Sequence, residues 1–376
     1  MNGKENKILQ FLKKDAVLAV AILLAVVSSC IVKPSIAYIG YIDYRVLVLL
    51  LSLMLVVGGW KSLGVFSLLG EKMCSHVASF RGLVLVLVCL CFFSSMLITN
   101  DVALITFVPF TLSVFVMIGC EKRLIPVIVL ETIAANMGSM LTPIGNPQNL
   151  LLFSVSGMSV GTFILHMLPV TVVSLTLILL CVCLLKNQTI VLQEKNDRND
   201  IRVIKHWQFW IYCLLFLVCM GNVFHLYSYV IVGIIVVAVV LVVKPKLFQE
   251  VDYSLLLTFV GFFIFIGNMK QVDAVNNWIN TMIDGNELMV GILASQVISN
   301  VPAAMLLSGF TENYKELLYG VNIGGLGTLI ASMASLISYR LYGKAYPEKK
   351  REYFLWFTAY NVGLLVILYG LAIIGL

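Results

Sequence analysis

The sequence predicts an all-α polytopic membrane protein made of two inverted repeats, with re-entrant helical hairpins and two broken transmembrane helices. Three observations carry that expectation: the composition, the recurrence of long apolar runs, and a set of polar residues that returns at fixed offsets. Of the 376 residues, 60% are hydrophobic and 12% charged, against roughly 45–50% and about 25% in a soluble domain. One globular core cannot hide that excess. Runs near the ~20 residues that a bilayer crossing needs recur at 16–32, 45–60, 161–185, 229–243 and 353–376. The first reads as a span and not a removable leader, because no small-residue cleavage site follows it and further spans do.

Taken in order, the elements are justified as follows. Spans are expected at about 15–31 and 43–60, each an uninterrupted apolar run. The stretch 61–80 reads as a helix lying on the inner surface. The segment 82–119 is apolar with a polar interruption at Thr99, Asn100 and Asp101, so it reads as a hairpin that enters and leaves by one face. Non-helical backbone at that depth is tolerated only where protein or a watery cavity satisfies it. A broken helix follows at 125–153, then a span at 160–185. The first repeat thus occupies 1–190 and a cytoplasmic linker 191–206. The second repeat, 207–376, runs through spans at 208–221, 228–243 and 253–268, a hairpin at 286–310 interrupted at Ser299 and Asn300, a broken helix at 316–341 and a last helix at 353–375.

Charge distribution fixes an expected orientation. With the N-terminus cytoplasmic, 21 of the 25 basic residues fall inside and only Lys33, Arg45, Lys270 and Lys315 outside, the bias that sets membrane topology. The inside set is Lys4, Lys7, Lys13, Lys14, Lys61, Lys72, Arg81, Lys122, Arg123, Lys186, Lys195, Arg198, Arg202, Lys205, Lys244, Lys246, Arg340, Lys344, Lys349, Lys350 and Arg351. The net charge of +6 therefore reflects topology and not a nucleic-acid partner. The nine cysteines lie mostly in apolar stretches without CxxC or Cys/His spacing, and read as small buried hydrophobes. Trp60, Trp207, Trp210 and Trp356 fit an interfacial belt.

Self-similarity supports the repeat. Asp43-Tyr44, Gly58 and Lys61 match Asp252-Tyr253, Gly267 and Lys270 at an offset of 209. Thr99-Asn100 matches Ser299-Asn300. Asn136, Gly138, Thr142 and Ile144 match Asn322, Gly324, Thr328 and Ile330 at an offset of 186. Under the expected topology the two copies run in opposite senses, as in many secondary transporters, whose sites lie where the repeats meet.

The chemistry gathers at those matches. Pro143 and Pro147 remove backbone donors near Asn136–Asn149, and glycines at 324, 325 and 327 permit non-helical dihedrals in the second copy. A helix broken at mid-membrane frees carbonyl oxygens for a cation and aims the positive end of a half-helix at an anion. Thr99, Asn100, Asn136 and Thr142 form one expected half-site; Ser299, Asn300, Asn322 and Thr328 form its counterpart. The plainer reading is that these residues only shape kinks and helix contacts. Asp101 and Glu131 are the acidic residues inside apolar stretches, and both are candidates for proton coupling. Asp101 also reads as an N-cap of the return leg, and Glu131 as a partner for Lys122 or Arg123. His166, in an apolar span, reads as a satisfied packing histidine, with a proton relay as the alternative. Asn187-Gln188-Thr189 matches a glycosylation acceptor but falls on the inner side.

The segments 97–104, 136–149, 295–304 and the glycine run after Asn322 resemble the ion transporter superfamily of arsenite permeases, D-type sodium/proton antiporters, citrate transporters and divalent-anion/sodium symporters. The short bacterial arsenite-permease-like anion permeases are the nearest in pattern. That resemblance implies a dimerising scaffold and a transport domain that moves past it like an elevator. It implies sodium at cation sites built from Asn100, Asp101, Asn136, Gly138, Asn146, Asn300, Asn322 and Gly324. Substrate would lie against Thr99, Asn100, Thr142, Pro143, Ser299, Asn300 and Thr328. The dicarboxylate symporters carry Ser-Asn-Thr at both tips, whereas these tips read Thr99-Asn100-Asp101 and Ser299-Asn300-Val301. The expectation is a secondary active transporter of the prokaryotic inner membrane, a homodimer that moves a small anion coupled to sodium or protons and needs no other cofactor. The alternatives are a sodium/proton antiporter or a metalloid-oxyanion efflux permease. An enzyme would need clustered acids or histidines, and the sequence has none.

Overall fold

The computed structural model describes residues 16–74, 77–190 and 206–375. His76, residues 191–205 of the expected linker, and Lys4, Lys7, Lys13, Lys14, Lys195, Arg198, Arg202 and Lys205 lie outside them. The described chain is helical throughout and carries no strand, apart from a single bridge between Ser79 and Thr189.

Eighteen α-helices are described. They are α1 (Ala16–Ile31), α2 (Ala37–Tyr41), α3 (Tyr44–Ser62), α4 (Val65–Cys74), α5 (Phe80–Ile98) and α6 (Asn100–Met117). Then follow α7 (Leu124–Ser139), α8 (Pro147–Ser156), α9 (Val160–Leu184), α10 (His206–Val223), α11 (Tyr229–Val243) and α12 (Tyr253–Lys270). The last six are α13 (Asp273–Ile283), α14 (Glu287–Ile298), α15 (Asn300–Leu307), α16 (Tyr314–Ile323), α17 (Met333–Ala345) and α18 (Lys350–Ile374). Among the described residues, six helices are long and apolar enough to cross a membrane: α3, α5, α6, α9, α12 and α18.

Local chemistry sets the ends. Asp43 and Asp252 cap α3 and α12 in the same way, each carboxylate accepting from the amide three residues on, at 3.1 and 3.0 Å. Ser79 and Ser159 cap α5 and α9 likewise. Side-chain oxygens at these positions satisfy amides that the helix itself leaves unpaired. Gly157 closes α8 in the left-handed conformation at φ 64°, which suits a residue without a Cβ.

Around α7 the core is densest: every residue from Leu124 to Ser139 except Pro126 is buried. α7 packs against α5, α6, α9, α17 and α18. The hairpin α5–α6 leans on the broken pair α7–α8, and the hairpin α14–α15 leans on α16–α17 in the same manner. The return legs also cross over, α6 packing on α17 and α15 on α8. Outside this group, α12 packs on α1 and α2, while α3 packs on α10 and α11. Trp207, Trp210, Leu214 and Leu217 on α10, and Ile234 and Val242 on α11, face outward. A soluble helix would put polar residues there.

Several expectations need correction. The surface helix placed at 61–80 is confined to α4, because α3 continues to Ser62 and α5 begins at Phe80. α2 and α13 were not anticipated. The signal for α13 is present in Val272, Val275, Ile279 and Ile283, which recur at helical spacing and pack on the core. The hairpin legs are unequal. α5 and α6 have 19 and 18 residues, about 28 and 27 Å at 1.5 Å per residue. α14 and α15 have 12 and 8, about 18 and 12 Å. All nine cysteines are free thiols.

Candidate functional site

The two hairpins turn on non-glycine residues held in the left-handed half of dihedral space. Thr99 has φ 71° and ψ 150°, and Ser299 has φ 75° and ψ 153°. Such conformations cost roughly 1–3 kcal/mol each for a side-chain-bearing residue and persist where surrounding contacts enforce them. The enforcing contacts match. Asn100 donates its amide to the Gly145 carbonyl at 3.3 Å, and Asn300 donates its own to Ala331 at 2.9 Å. Each tip is thereby tied to the break of its own half. Each tip asparagine also turns its Oδ1 back onto the next amide, Asp101 at 3.0 Å and Val301 at 2.9 Å.

Close approach of hairpin to break depends on two glycines. A Cβ at Gly138 would collide with the Phe92 carbonyl and lie 2.7 Å from Ser95 Oγ. One at Gly324 would lie 2.6 Å from the Gly320 carbonyl and 2.8 Å from Ser295 Oγ. Thr142 Oγ1 donates to the Met96 carbonyl and Thr328 Oγ1 to the Gln296 carbonyl, so each break is hung from the leg four residues before its tip. Pro143 lies in the first break, buried.

The breaks are joined to one another by crossed hydrogen bonds. Asn146, the N-cap of α8, donates to Asn322 Oδ1 near the end of α16 at 3.1 Å. Ser332, the N-cap of α17, donates to Asn136 Oδ1 near the end of α7 at 3.0 Å. Both members of one bond lie 186 residues from their counterparts in the other. Asn322 also donates to Asn149 Oδ1 at 2.7 Å, and Asn100 donates to Asn136 Oδ1 at 3.0 Å. Asn100, Asn136, Asn146, Asn149, Asn300 and Asn322 are all at most 4% exposed. Four helix N-termini, those of α6, α8, α15 and α17, reach this junction together with the C-terminal ends of α5, α7, α14 and α16. Such a junction presents amide-rich positive ends and free carbonyls side by side, and so has groups for an anion and for a cation.

The halves hold their breaks open differently. In the first, Asn149 Nδ2 donates to the carbonyls of Ser139, Met140 and Thr142 at 3.1–3.3 Å. In the second, Gln296 Nε2 donates to Gly324 and Leu326 at 2.8 and 3.0 Å, while its Oε1 accepts from the Thr328 amide at 2.9 Å. Asn149, Gln296, Ser332, Ser95 and Ser295 were not among the expected site residues. The signal for the serines was present: Ser95 to Asn100 and Ser295 to Asn300 share the pattern Ser-x-x-Ile-Thr/Ser-Asn.

Other expectations need correction. Asp101 does not cap α6; the cap position is Thr99, and Asp101 lies in the first turn with Oδ1 buried and unpartnered among the described residues. Glu131 does not pair with Lys122 or Arg123. It is fully buried and accepts from the Thr111 hydroxyl, while Arg123 donates to the Lys186 carbonyl and lies over Phe80. Burial seven residues past the start of the core helix puts Glu131 beyond reach of cations that stay at the helix foot. His166 Nδ1 is buried without a partner among the described residues, so the ring is not the satisfied packing histidine expected. Asn187 caps α5 through the Arg81 amide at 3.0 Å. A cavity of about 920 Å³ at the foot of the second hairpin, near Lys270, Asp284, Glu287 and Glu312, shares no residue with the junction.

The citrate transporter family profile matches residues 8–313, which take in both tips and the first break. An uncharacterized transporter of Methanocaldococcus jannaschii is 38% identical over 258 residues, 68% of this chain and 69% of that one. The inner membrane protein YbiR of Escherichia coli is 33% identical over 304 residues, 80% of each chain. The silicon efflux transporter LSI3 of Oryza sativa subsp. japonica is 33% identical over 145 residues, 37% of this chain and 29% of that protein. The chain belongs to the citrate transporter family and is a multi-pass membrane transporter, a permease and not an enzyme.

Proposed function

We propose that this transporter is a secondary active carrier that moves a small anion, with sodium or protons as the coupling ion. The observation that carries the reading is the reciprocal pair of hydrogen bonds, Asn146 to Asn322 and Ser332 to Asn136. Contacts in which each partner's counterpart contacts the other's are what a two-fold relation between halves generates. Two inverted repeats meeting at their broken helices supply such an axis in the membrane plane. The cation sits at the first tip and break, at carbonyls and side chains of Asn100, Asp101, Asn136, Gly138 and Asn146, and at their counterparts Asn300, Asn322 and Gly324. The anion lies between the tips, within reach of Thr99, Thr142, Pro143, Ser299 and Thr328. A positive coupling ion offsets the Asp101 charge that would otherwise repel it.

In this account α5–α9 and α14–α18 form the moving body, and α1–α3 with α10–α12 the scaffold through which two copies pair. The N-terminus is cytoplasmic and the membrane is the inner membrane of a prokaryote. The test is uptake into proteoliposomes under a sodium or proton gradient, with citrate, succinate, phosphate, arsenite and silicic acid. The account expects gradient-driven accumulation of an anion. Sodium exchanging for protons while none of these solutes moves would replace it with an antiporter. The partial match to a silicon efflux transporter favours a second reading, export of an uncharged or weakly acidic oxyacid, which the same panel resolves by the direction of flux.

A further inference from the structure

A hydrogen bond crosses from the proposed scaffold to the proposed moving body. Asp43 caps α3 through one carboxylate oxygen, and its other oxygen accepts from Ser154 Oγ on α8 at 2.8 Å. The repeat gives this contact a counterpart that is not made. Asp252, 209 residues on from Asp43, caps α12 in the same way. Its other oxygen has no hydrogen bond or ion pair among the described residues. α8 corresponds to α17 at the offset of 186 that relates the two breaks, so Ser154 corresponds to Arg340. Arg340 is exposed, and it too has no hydrogen bond or ion pair among the described residues.

A second contact across the same boundary is equally one-sided. Past the end of α15, Gly309 lies so close to the far end of α12 that a Cβ there would sit 2.5 Å from Ile266 Cγ2 and 3.2 Å from Lys270 Cε. The counterparts are Pro109 on α6, at the offset of 200 that relates the tips, and Val57 and Lys61 on α3, at 209. α12 packs on α15 and α3 on α8, whereas no comparable packing joins α3 to α6 or α12 to α17. In the proposed orientation, both contacts that are made lie toward the outer face and both that are missing lie toward the inner one. A basic residue at the inner end of a span also serves topology. Topology alone does not put it at the one position where the repeat would bring it to an unpaired carboxylate.

We infer that Asp252 and Arg340 form an ion pair in the carrier's other conformation, in exchange for the bond between Asp43 and Ser154. Inverted repeats gate against each other around a fixed site, so the second state is reached when each half takes up the arrangement now held by the other. As the body shifts, Ser154 leaves Asp43 at the outer end of α3 and Arg340 closes on Asp252 at the inner end of α12. Each latch favours one state through a contact that the other state lacks. The inner latch joins opposite charges, so added salt weakens it more than the outer one. The inference rests on the inverted-repeat and moving-body parts of the proposed function and needs no knowledge of the transported solute.

The test is carbodiimide coupling of the purified full-length Arg340→Lys protein in lipid nanodiscs. The reagent activates a carboxylate and joins it to an amine in contact with it, forming an amide and leaving as a urea. The positive charge at position 340 and the cap from Asp252 are both kept until that bond forms. Peptide mass mapping is expected to find an amide between Asp252 and position 340. Its yield should rise at least about threefold when Ser154→Ala is added, because the present state then loses a hydrogen bond to a charged group. The wild type, whose guanidinium does not couple, should give no such amide. Should Arg340→Lys fail to fold, Asp252→Cys with Arg340→Cys, oxidised with copper phenanthroline and mapped in the same way, gives the same readings. No link between these positions in folded protein overturns the ion pair, and a yield that ignores Ser154→Ala overturns the exchange. If the link forms and no anion moves in proteoliposomes, the anion reading fails and this one stands; if an anion accumulates and no link forms, the carrier reading stands and this one fails.

Discussion

Thr99 and Ser299 adopt nearly the same dihedrals, and the next residue in each case bonds to the break of its own half, yet the residues around the two tips diverge. The first tip follows its asparagine with Asp101 and sits against a break containing Pro143 and Pro147; the second follows with Val301 and Pro302 and sits against a break of glycines. Gly327, at φ 104°, gives the second break a conformation that the proline-bearing first break does not use. The side-chain amide that holds the break comes from α8 in one half, as Asn149, and from the hairpin in the other, as Gln296. Asn100 bonds to Asn136, whereas Asn322 reaches across to Asn146 and Asn149 instead. The backbone frame is thus kept in duplicate while its chemistry is divided, with the one carboxylate at the first tip. A carrier that seats a cation and an anion at one junction gains from halves of unlike charge.

The largest effects test whether both tips serve the same site. Asn100→Ala and Asn300→Ala should each abolish transport while expression and monodispersity stay normal. Loss of a hydrogen bond to a charged group is about 1.5–3 kcal/mol, roughly ten- to hundredfold in affinity. Asn100→Ala should be the worse, since it also strips Asn136 of a partner. Wild-type transport in either variant would remove that tip from the site. Next come the glycines at the hairpin contacts. Gly138→Ala and Gly324→Ala overfill packed space, at about 1–3 kcal/mol, and should lower the melting temperature. Gly138→Ala should lower it further, because its Cβ meets the Phe92 backbone.

Much of this frame was legible in the sequence. Composition and apolar runs are enough for a bundle of spans, since water cannot hide that much apolar surface. The interruptions at 99–101 and 299–300 stand out because polar residues inside such runs are rare. The paired asparagines, prolines and glycines marked both breaks. What was hidden is what depends on contacts across the chain. No local pattern shows that Asn322 bonds Asn146, that Gln296 rather than a residue of the break stitches the second half, or that Glu131 turns away from Lys122 and Arg123. The short helix α13 was masked by its polar face, which breaks the apolar run without breaking the helical period.

Smaller effects sharpen the division of chemistry. Gln296→Ala should cost about 1–3 kcal/mol by leaving the Gly324 and Leu326 carbonyls unpaired, and Met96→Ala, at the matching place in the first half, should leave the first break intact; urea or thermal unfolding compares the two. Asp101→Asn should change the dependence of transport on sodium and pH while shifting stability by no more than about 1 kcal/mol, within the range of ordinary substitutions. The smallest shift is expected from Ser299→Gly, which relieves the positive φ. It should raise stability by up to about 1 kcal/mol while weakening transport, a split that marks strain kept for function.

The central claim is that the two broken helices are bound to each other, each through the cap of its second half. Double-mutant cycles on Asn146 with Asn322 and on Ser332 with Asn136, truncated to alanine and read by melting temperature and by transport, test it most directly. Coupled pairs show interaction energies of about 0.5–3 kcal/mol, so the account predicts that each double variant falls little further than its worse single. Strictly additive losses in both cycles would contradict it.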